Sequence, residues 1–153
     1  MNVGLVGSGV VGRFLGRRLL DAGHALFVHD IDPAAAEVLV PRGAVVRPGA
    51  CELAADCEVI LASVPTPEDS LAVALGERGV LPAARPGLLY IETSTIGPEC
   101  ARRLAEEARQ RGVDYFDAPL SAGPRVDGRS ELTLWVGGRG QVFAERRAFL
   151  GQL

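Results

Sequence analysis

The sequence predicts an α/β fold built as a doubly wound, mostly parallel sheet. Three observations predict it. The first thirty residues read as strand, glycine-rich turn, helix and strand. Short apolar runs suited to buried strands then alternate with stretches of helical periodicity, which is the pattern of a parallel sheet covered by helices on both faces. Polar segments stand where several of those strands end, and in such sheets the carboxyl ends of the strands carry the ligands.

The opening element organises the rest. Val3, Leu5 and Val6 form an apolar run, followed by Gly7-Ser8-Gly9-Val10-Val11-Gly12. Gly7 permits the tight turn out of the strand, Gly9 lets a pyrophosphate approach the backbone, and Gly12 lets the helix pack close to the sheet. The helix start presents free N–H groups and a positive dipole end to phosphates. A second apolar run ends in His29-Asp30, and an acid about 20 residues past the glycines accepts a ribose 2′-hydroxyl and repels a 2′-phosphate. Ile31 stands where an arginine would favour that phosphate. The expected cofactor is NAD rather than NADP. The alternative is a glycine turn in some other α/β sheet.

The elements follow in order. Val10, Val11, Phe14, Leu15, Leu19 and Leu20 recur at helical spacing, and Gly23 suits a left-handed cap. Ala25 to Val28 is the second strand. Asp32 caps the next helix, with Pro33 at its first position, and that helix is expected to run to about Val40. Ala44 to Val46 is a short strand, Pro48 to Ala55 a short helix or turn, and Glu58 to Ser63 a buried strand. Thr66 reads as an N-cap followed by Pro67 and the acid Asp69, opening a helix to Gly76. Leu88 to Glu92 is the fifth strand. Pro98-Glu99 starts a helix with Cys100, Leu104 and Ala108 on one stripe. Val113 to Phe116 is a strand, Pro124 to Ser130 a polar loop, and Glu131 to Val136 a strand. Gly137-Gly138 turns the chain into a last helix, about Gln141 to Leu150.

Composition sets bounds. A chain of 153 residues, 48% hydrophobic and 23% charged, is expected to form one domain, 1–153, with a real core. A net charge of -3 gives no reason to expect nucleic acid as partner. No apolar run approaches the roughly 20 residues of a membrane span, and the glycine-rich start lacks the basic n-region of a signal peptide, so the expected location is the cytoplasm. Cys51, Cys57 and Cys100 lack metal-site spacing and, with His24 and His29 as the histidines, suggest no metal site. All sixteen basic residues are arginine. Arginine stays protonated and serves poorly as a general acid or base.

Three polar strand ends accompany the glycine loop: Ser63 to Thr66, Thr93 to Thr95, and Asp117 to Gly123. Thr66 reads as a helix cap. For Ser94, Thr95 and Ser121, capping and ligand binding are both open on chemistry alone.

Taken together, these segments resemble the β-hydroxyacid dehydrogenase family, which includes 3-hydroxyisobutyrate dehydrogenase, tartronate semialdehyde reductase and, more distantly, 6-phosphogluconate dehydrogenase. The glycine signature with Ala22-Gly23-His24, the stretch Ala62-Ser63-Val64-Pro65, the strand Ile91-Glu92-Thr93-Ser94-Thr95, the motif Asp117-Ala118-Pro119-Leu120-Ser121-Ala122-Gly123, and Leu134-Trp135-Val136-Gly137-Gly138 occur in the family's order. The resemblance implies a Rossmann-type domain. It implies that Gly7, Ser8, Gly9, Val10, Val11, Gly12 and Asp30 hold the adenosine and pyrophosphate. Val64, Pro65, Ser94 and Thr95 would line the nicotinamide half, and Ser121, Ala122 and Gly123 would hold the substrate carboxylate. The implied chemistry is hydride transfer between NAD(P) and a small 3-hydroxy acid or semialdehyde, with a lysine as general acid/base.

The sequence departs from the family pattern at Ala122, which stands for a glycine, and at Ser130-Glu131-Leu132. It also stops at Leu153, before the strand, the lysine-bearing helix and the all-helical domain that the resemblance implies. No catalytic residue is therefore assigned to this chain, which is expected to bind the dinucleotide but to turn over little or no substrate alone. A hydroxy-acid substrate is expected only where the missing half is supplied. The sequence does not fix the oligomeric state; if the chain self-associates, exposed apolar surface is the expected cause. The alternative functions are a non-catalytic nucleotide-binding or interaction module and a truncated remnant.

Overall fold

The structure, a computed structural model, describes residues 1–122 and 132–153. Its elements are β1 (Asn2–Val6), α1 (Val10–Asp21), β2 (Ala25–His29), α2 (Pro33–Glu37), β3 (Val45–Val46), α3 (Ala50–Asp56), β4 (Val59–Ala62) and α4 (Pro67–Leu75). There follow α5 (Val80–Ala83), β5 (Leu89–Glu92), α6 (Gly97–Gln110), β6 (Asp114–Asp117), β7 (Leu120–Ala122), β8 (Leu132–Leu134), β9 (Gly137–Gly138) and α7 (Gly140–Leu150).

Among the described residues, seven strands form one sheet in the order β3-β2-β1-β4-β5-β6-β9. All neighbours are parallel except β6 with β9. The order reverses at β1, which lies between β2 and β4. That is the switch point where a crevice opens beyond the strand ends. Strands β7 and β8 form a separate antiparallel pair.

The sheet is buried on both faces because successive side chains alternate. Val59 and Leu61 of β4 pack into one apolar layer with Leu5, Leu15, Leu19 and Phe149. Ile60 and Ala62 face the other, with Leu53, Leu81 and Leu104. Each fully buried Leu or Ile stabilises the fold by roughly 1.5–3 kcal/mol. The last helix is tied to the first: Gln152 accepts a hydrogen bond from Arg18 Nε through its carbonyl and lies 2.7 Å from His24 Nε2 through Oε1.

The structure corrects several expected boundaries. Helix α2 ends at Glu37, and Val40–Arg42 forms a separate 3-10 turn. Pro41 has no N–H for the Glu37 carbonyl and its ring would clash with it in a continued α-helix, which explains the break. A short helix, α5, occupies Val80–Ala83, where the sequence suggested no element. Gly137–Gly138 is strand rather than turn, paired with Phe116 and Asp117. The expected strand Glu131 to Val136 ends earlier, at Leu134. Glu131, Gly123 and the loop Pro124 to Ser130 lie outside the described residues.

All three cysteines are free. Burial pushes the Cys57 thiol up to about 12, which keeps it protonated and unreactive. Among the described residues no group of His, Cys, Asp and Glu is placed to hold a metal ion. No helix described is long and apolar enough to cross a membrane.

Candidate functional site

Two positions where β1 turns into α1 admit no side chain. Gly7 has φ +89°, and a Cβ there would run into the backbone carbonyl of Ser63. A Cβ on Gly12 would run into the carbonyl of Gly7. These contacts seat the loop against β4 and the start of α1 against the loop. Gly9 differs, because a Cβ there would meet nothing within 4 Å. Its missing side chain leaves room on the outer side of the loop, where a ligand would lie.

Helix α1 starts at Val10 with Gly9 as N-cap and no side-chain cap. The first N–H groups of a helix have no intrahelical partners, and here their positive end opens outward. Ser8 is fully buried, and its hydroxyl has no hydrogen-bond partner among the described residues. An uncapped helix start, an open Gly9 and an orphaned hydroxyl fit an anionic, phosphate-bearing group. Arg13 adds a cation at the same place, with its Nε–H donated to the Ser8 carbonyl at 2.7 Å.

At the end of β2, Asp30 is half-buried. Its Oδ2 accepts the Ser8 N–H at 2.6 Å and its Oδ1 the Asp32 N–H at 2.9 Å. The carboxylate therefore ties the glycine loop to the β2 end. A cleft of about 690 Å³ runs from the glycine loop past Asp30 and Ile31 to Pro48, Val64 and Pro65. Ile31 is 96% exposed.

The β4 and β5 ends are tied in a different way. Ser94 Oγ accepts the Val64 N–H at 2.9 Å. Ser94 is thus neither a helix cap nor a free hydroxyl; Ile96 is the N-cap of α6. Thr66 does cap α4, accepting the Asp69 N–H at 3.1 Å. Thr95 is exposed. Ser94, Thr95 and Ser121 do not line the cleft that brings together the glycine loop, Asp30, Val64 and Pro65. Ser121 lies on β7, where its Oγ accepts the indole N–H of Trp135 at 3.0 Å. Ala122 ends that strand. Burial raises the Asp117 carboxyl above its usual range.

Two residues were not singled out from the sequence. Arg13 had a signal, since it directly follows the last glycine. Glu92 is fully buried, at 0% exposure. Its signal was its place as the one acid in the run Leu88-Leu89-Tyr90-Ile91-Glu92. Burial raises its carboxyl above the usual carboxylate range, while hydrogen bonding from Ser94 pulls the other way.

Comparison with known proteins agrees with this geometry. Residues 2–153 match the family described as the NAD binding domain of 6-phosphogluconate dehydrogenase. A 3-hydroxyisobutyrate dehydrogenase of Pseudomonas aeruginosa is 34% identical over 149 residues, covering 97% of this chain and 50% of that protein. The solved 3-hydroxyisobutyrate dehydrogenase of Mycobacterium tuberculosis with L-serine superposes with a TM-score of 0.86 at 31% identity, over 99% of this chain and 51% of that one. An imine reductase of Myxococcus stipitatus, solved with NADP+ and, as a variant, with NAD+, gives a TM-score of 0.89 at 26% identity. Those matches span 100% and 99% of this chain, and 52% of the reductase in each case. The chain spans about half the length of the relatives it matches. With a glycine loop, a strand order and a β2 acid that all suit a dinucleotide, and with a match over nearly its whole length, the chain belongs to the family of the NAD binding domain of 6-phosphogluconate dehydrogenase.

Proposed function

We propose that this chain binds a nicotinamide adenine dinucleotide, NAD in preference to NADP, as the cofactor half of an oxidoreductase acting on a small 3-hydroxy acid or semialdehyde. The observation that carries this reading is Asp30, whose carboxylate stands at the β2 end inside the cleft and is fixed by two backbone N–H groups. A carboxylate held there accepts from ribose hydroxyls and repels a 2′-phosphate.

Each residue has a role in this reading. Gly7 and Gly12 shape the turn, Gly9 leaves space for the pyrophosphate, and the N–H groups of Val10 and Val11 face its charge. The Ser8 hydroxyl is a further donor. Val64 and Pro65 form the nicotinamide side of the cleft, and Ser94, which lies outside the cleft, holds the Val64 N–H. Ser121, with its Oγ already accepting from Trp135, keeps its O–H proton for a substrate carboxylate, beside Ala122 and Gly123. The bound dinucleotide supplies the hydride donor or acceptor.

The sequence holds no lysine, whereas the family resemblance implies a lysine as proton donor and acceptor. We therefore propose that this chain alone has little or no dehydrogenase activity; a missing general acid/base lowers a rate by roughly a hundredfold to ten-thousandfold. Calorimetric titration with NAD and with NADP tests the binding. The expected result is NAD binding, NADP much weaker, and loss of NAD affinity on Asp30→Ala. Failure of the folded chain to bind either dinucleotide overturns the reading. Substantial turnover by the pure chain overturns the inactivity.

A further inference from the structure

Among the described residues, Glu92 is the only Asp, Glu or Arg in the interior. No arginine among the described residues pairs with it; the ion pairs seen there all lie elsewhere. A carboxylate buried without a cation is unfavourable, and an apolar residue of similar size would suit the layer of Ile60 and Tyr90 better. Its contacts show what it does instead. Oε1 accepts the backbone N–H of Ser94 at 3.0 Å, and Oε2 accepts the Tyr90 hydroxyl at 3.3 Å. Ser94 in turn accepts the N–H of Val64. Thr93 completes the junction by donating its N–H and its hydroxyl to the Ala62 carbonyl, at 2.9 and 2.7 Å.

A chain of hydrogen bonds therefore runs from a buried carboxylate at the end of β5, through Ser94, to the backbone that leaves β4. Val64 and Pro65, at the far end of that chain, line the cleft. We infer that Glu92 is a positioning residue for the cofactor: it fixes Ser94, and through Ser94 sets the Val64–Pro65 loop against the nicotinamide nucleoside. The inference rests on the dinucleotide reading. Glu92 touches no ligand in this arrangement, and the Tyr90 hydroxyl, whose ring lies tilted 5.9 Å from that of Tyr115, is bonded to its second oxygen.

The test compares two ligands that share the adenosine and diphosphate. NAD carries the nicotinamide nucleoside and ADP does not. Both are titrated into the native chain, Glu92→Ala, Glu92→Gln and Ser94→Ala. The expected result is that Glu92→Ala weakens NAD about tenfold and leaves ADP unchanged. Glu92→Gln, which keeps an acceptor for the Ser94 N–H, stays within about threefold of native. Ser94→Ala breaks the chain one bond further on and gives the same NAD-selective loss, so it decides the matter if Glu92→Ala does not fold. Equal proportional loss of NAD and ADP, or no loss of either, overturns the inference while leaving the dinucleotide reading intact. A native chain that binds neither ligand overturns the dinucleotide reading, and this one with it.

Discussion

Two carboxylates, Asp30 and Glu92, stand at strand ends on either side of the β1 switch point and do related work in opposite surroundings. Each accepts a backbone N–H from the loop it serves: Asp30 from Ser8, Glu92 from Ser94. Asp30 does so in the open cleft, half in solvent. Glu92 does so in the interior, with the Tyr90 hydroxyl as its other partner. An exposed carboxylate can shape a loop and meet a ligand with the same atoms. A buried one can reach a ligand only by what it holds in place. If the cleft holds the dinucleotide as proposed, its adenosine side is built by steric fit and direct contact, and its nicotinamide side by a relay of hydrogen bonds.

The strongest way to break the adenosine side is Gly7→Ala. The new methyl would meet the Ser63 carbonyl, at a backbone angle that L-residues avoid. The expected cost is roughly 2–4 kcal/mol of stability, measured as a lower urea midpoint at unchanged slope. Dinucleotide binding is expected to fall below detection. A fully stable, binding-competent Gly7→Ala chain would show that the loop is not fixed by its packing on β4.

Asp30→Ala is expected to act more narrowly. Loss of a charged acceptor costs about 1.5–3 kcal/mol, or about tenfold to a hundredfold in NAD affinity by calorimetry. Because Asp30 stands on the proposed adenosine side, ADP should lose as much as NAD. That outcome is the reverse of the NAD-selective loss expected at Glu92, and the two variants together test whether the sides are separate.

The difference between the sides also governs what could be read in the sequence. The turn at Gly7 and Gly12 and the place of Asp30 at the β2 end were legible because they follow from residue type at fixed spacing. The cap at Thr66 and the left-handed Gly23 (φ +83°) were legible for the same reason. Glu92 reads from the sequence only as the last residue of the fifth strand, since one sequence does not show that Ser94 turns inward to meet it. Strand β9 is two glycines and carries no side-chain pattern; pairing with β6 makes it. Helix α5 is four residues with a proline, held by burial of Val80 and Leu81 rather than by propensity. In each case the missing information was tertiary.

The buried carboxylate also leaves a pH signature that tests its isolation. Burial raises the Glu92 pKa above 4.5, so the folded chain keeps that proton to higher pH than the unfolded chain. The stability it contributes is full below about pH 4.5 and is lost as the pH rises through the folded value. Glu92→Gln cannot titrate there. Its stability relative to the native chain is expected to increase as the pH is raised from about 4.5, followed by urea unfolding at a series of pH values. Tyr90, Tyr115 and Cys100, which sense the Glu92 charge, are themselves raised and stay protonated throughout. Asp117, paired beside Glu92 on β6 and raised by its own burial, is the other carboxyl in this window, so the comparison is repeated in an Asp117→Asn background. A difference between Gln and Glu that does not change with pH would mean that Glu92 is more solvated than its burial indicates.

The smallest expected effect separates stability from positioning. Thr66 and Asp69 hold each other at the start of α4: the threonine hydroxyl accepts the Asp69 N–H at 3.1 Å and donates to its carboxylate at 2.7 Å. Thr66→Ala removes both bonds, at an expected cost of about 1 kcal/mol. Thr66 lies two residues beyond Val64, so a merely looser α4 and a misplaced Val64–Pro65 loop are easily confused. If Glu92 and Ser94 set that loop, Thr66→Ala lowers the unfolding midpoint while the ratio of NAD to ADP affinity stays at its native value. If that ratio falls with Thr66→Ala as far as with Ser94→Ala, the loop takes its position from the helix that follows it and not from the strand beside it. The nicotinamide side would then be built like the adenosine side, from its own local geometry.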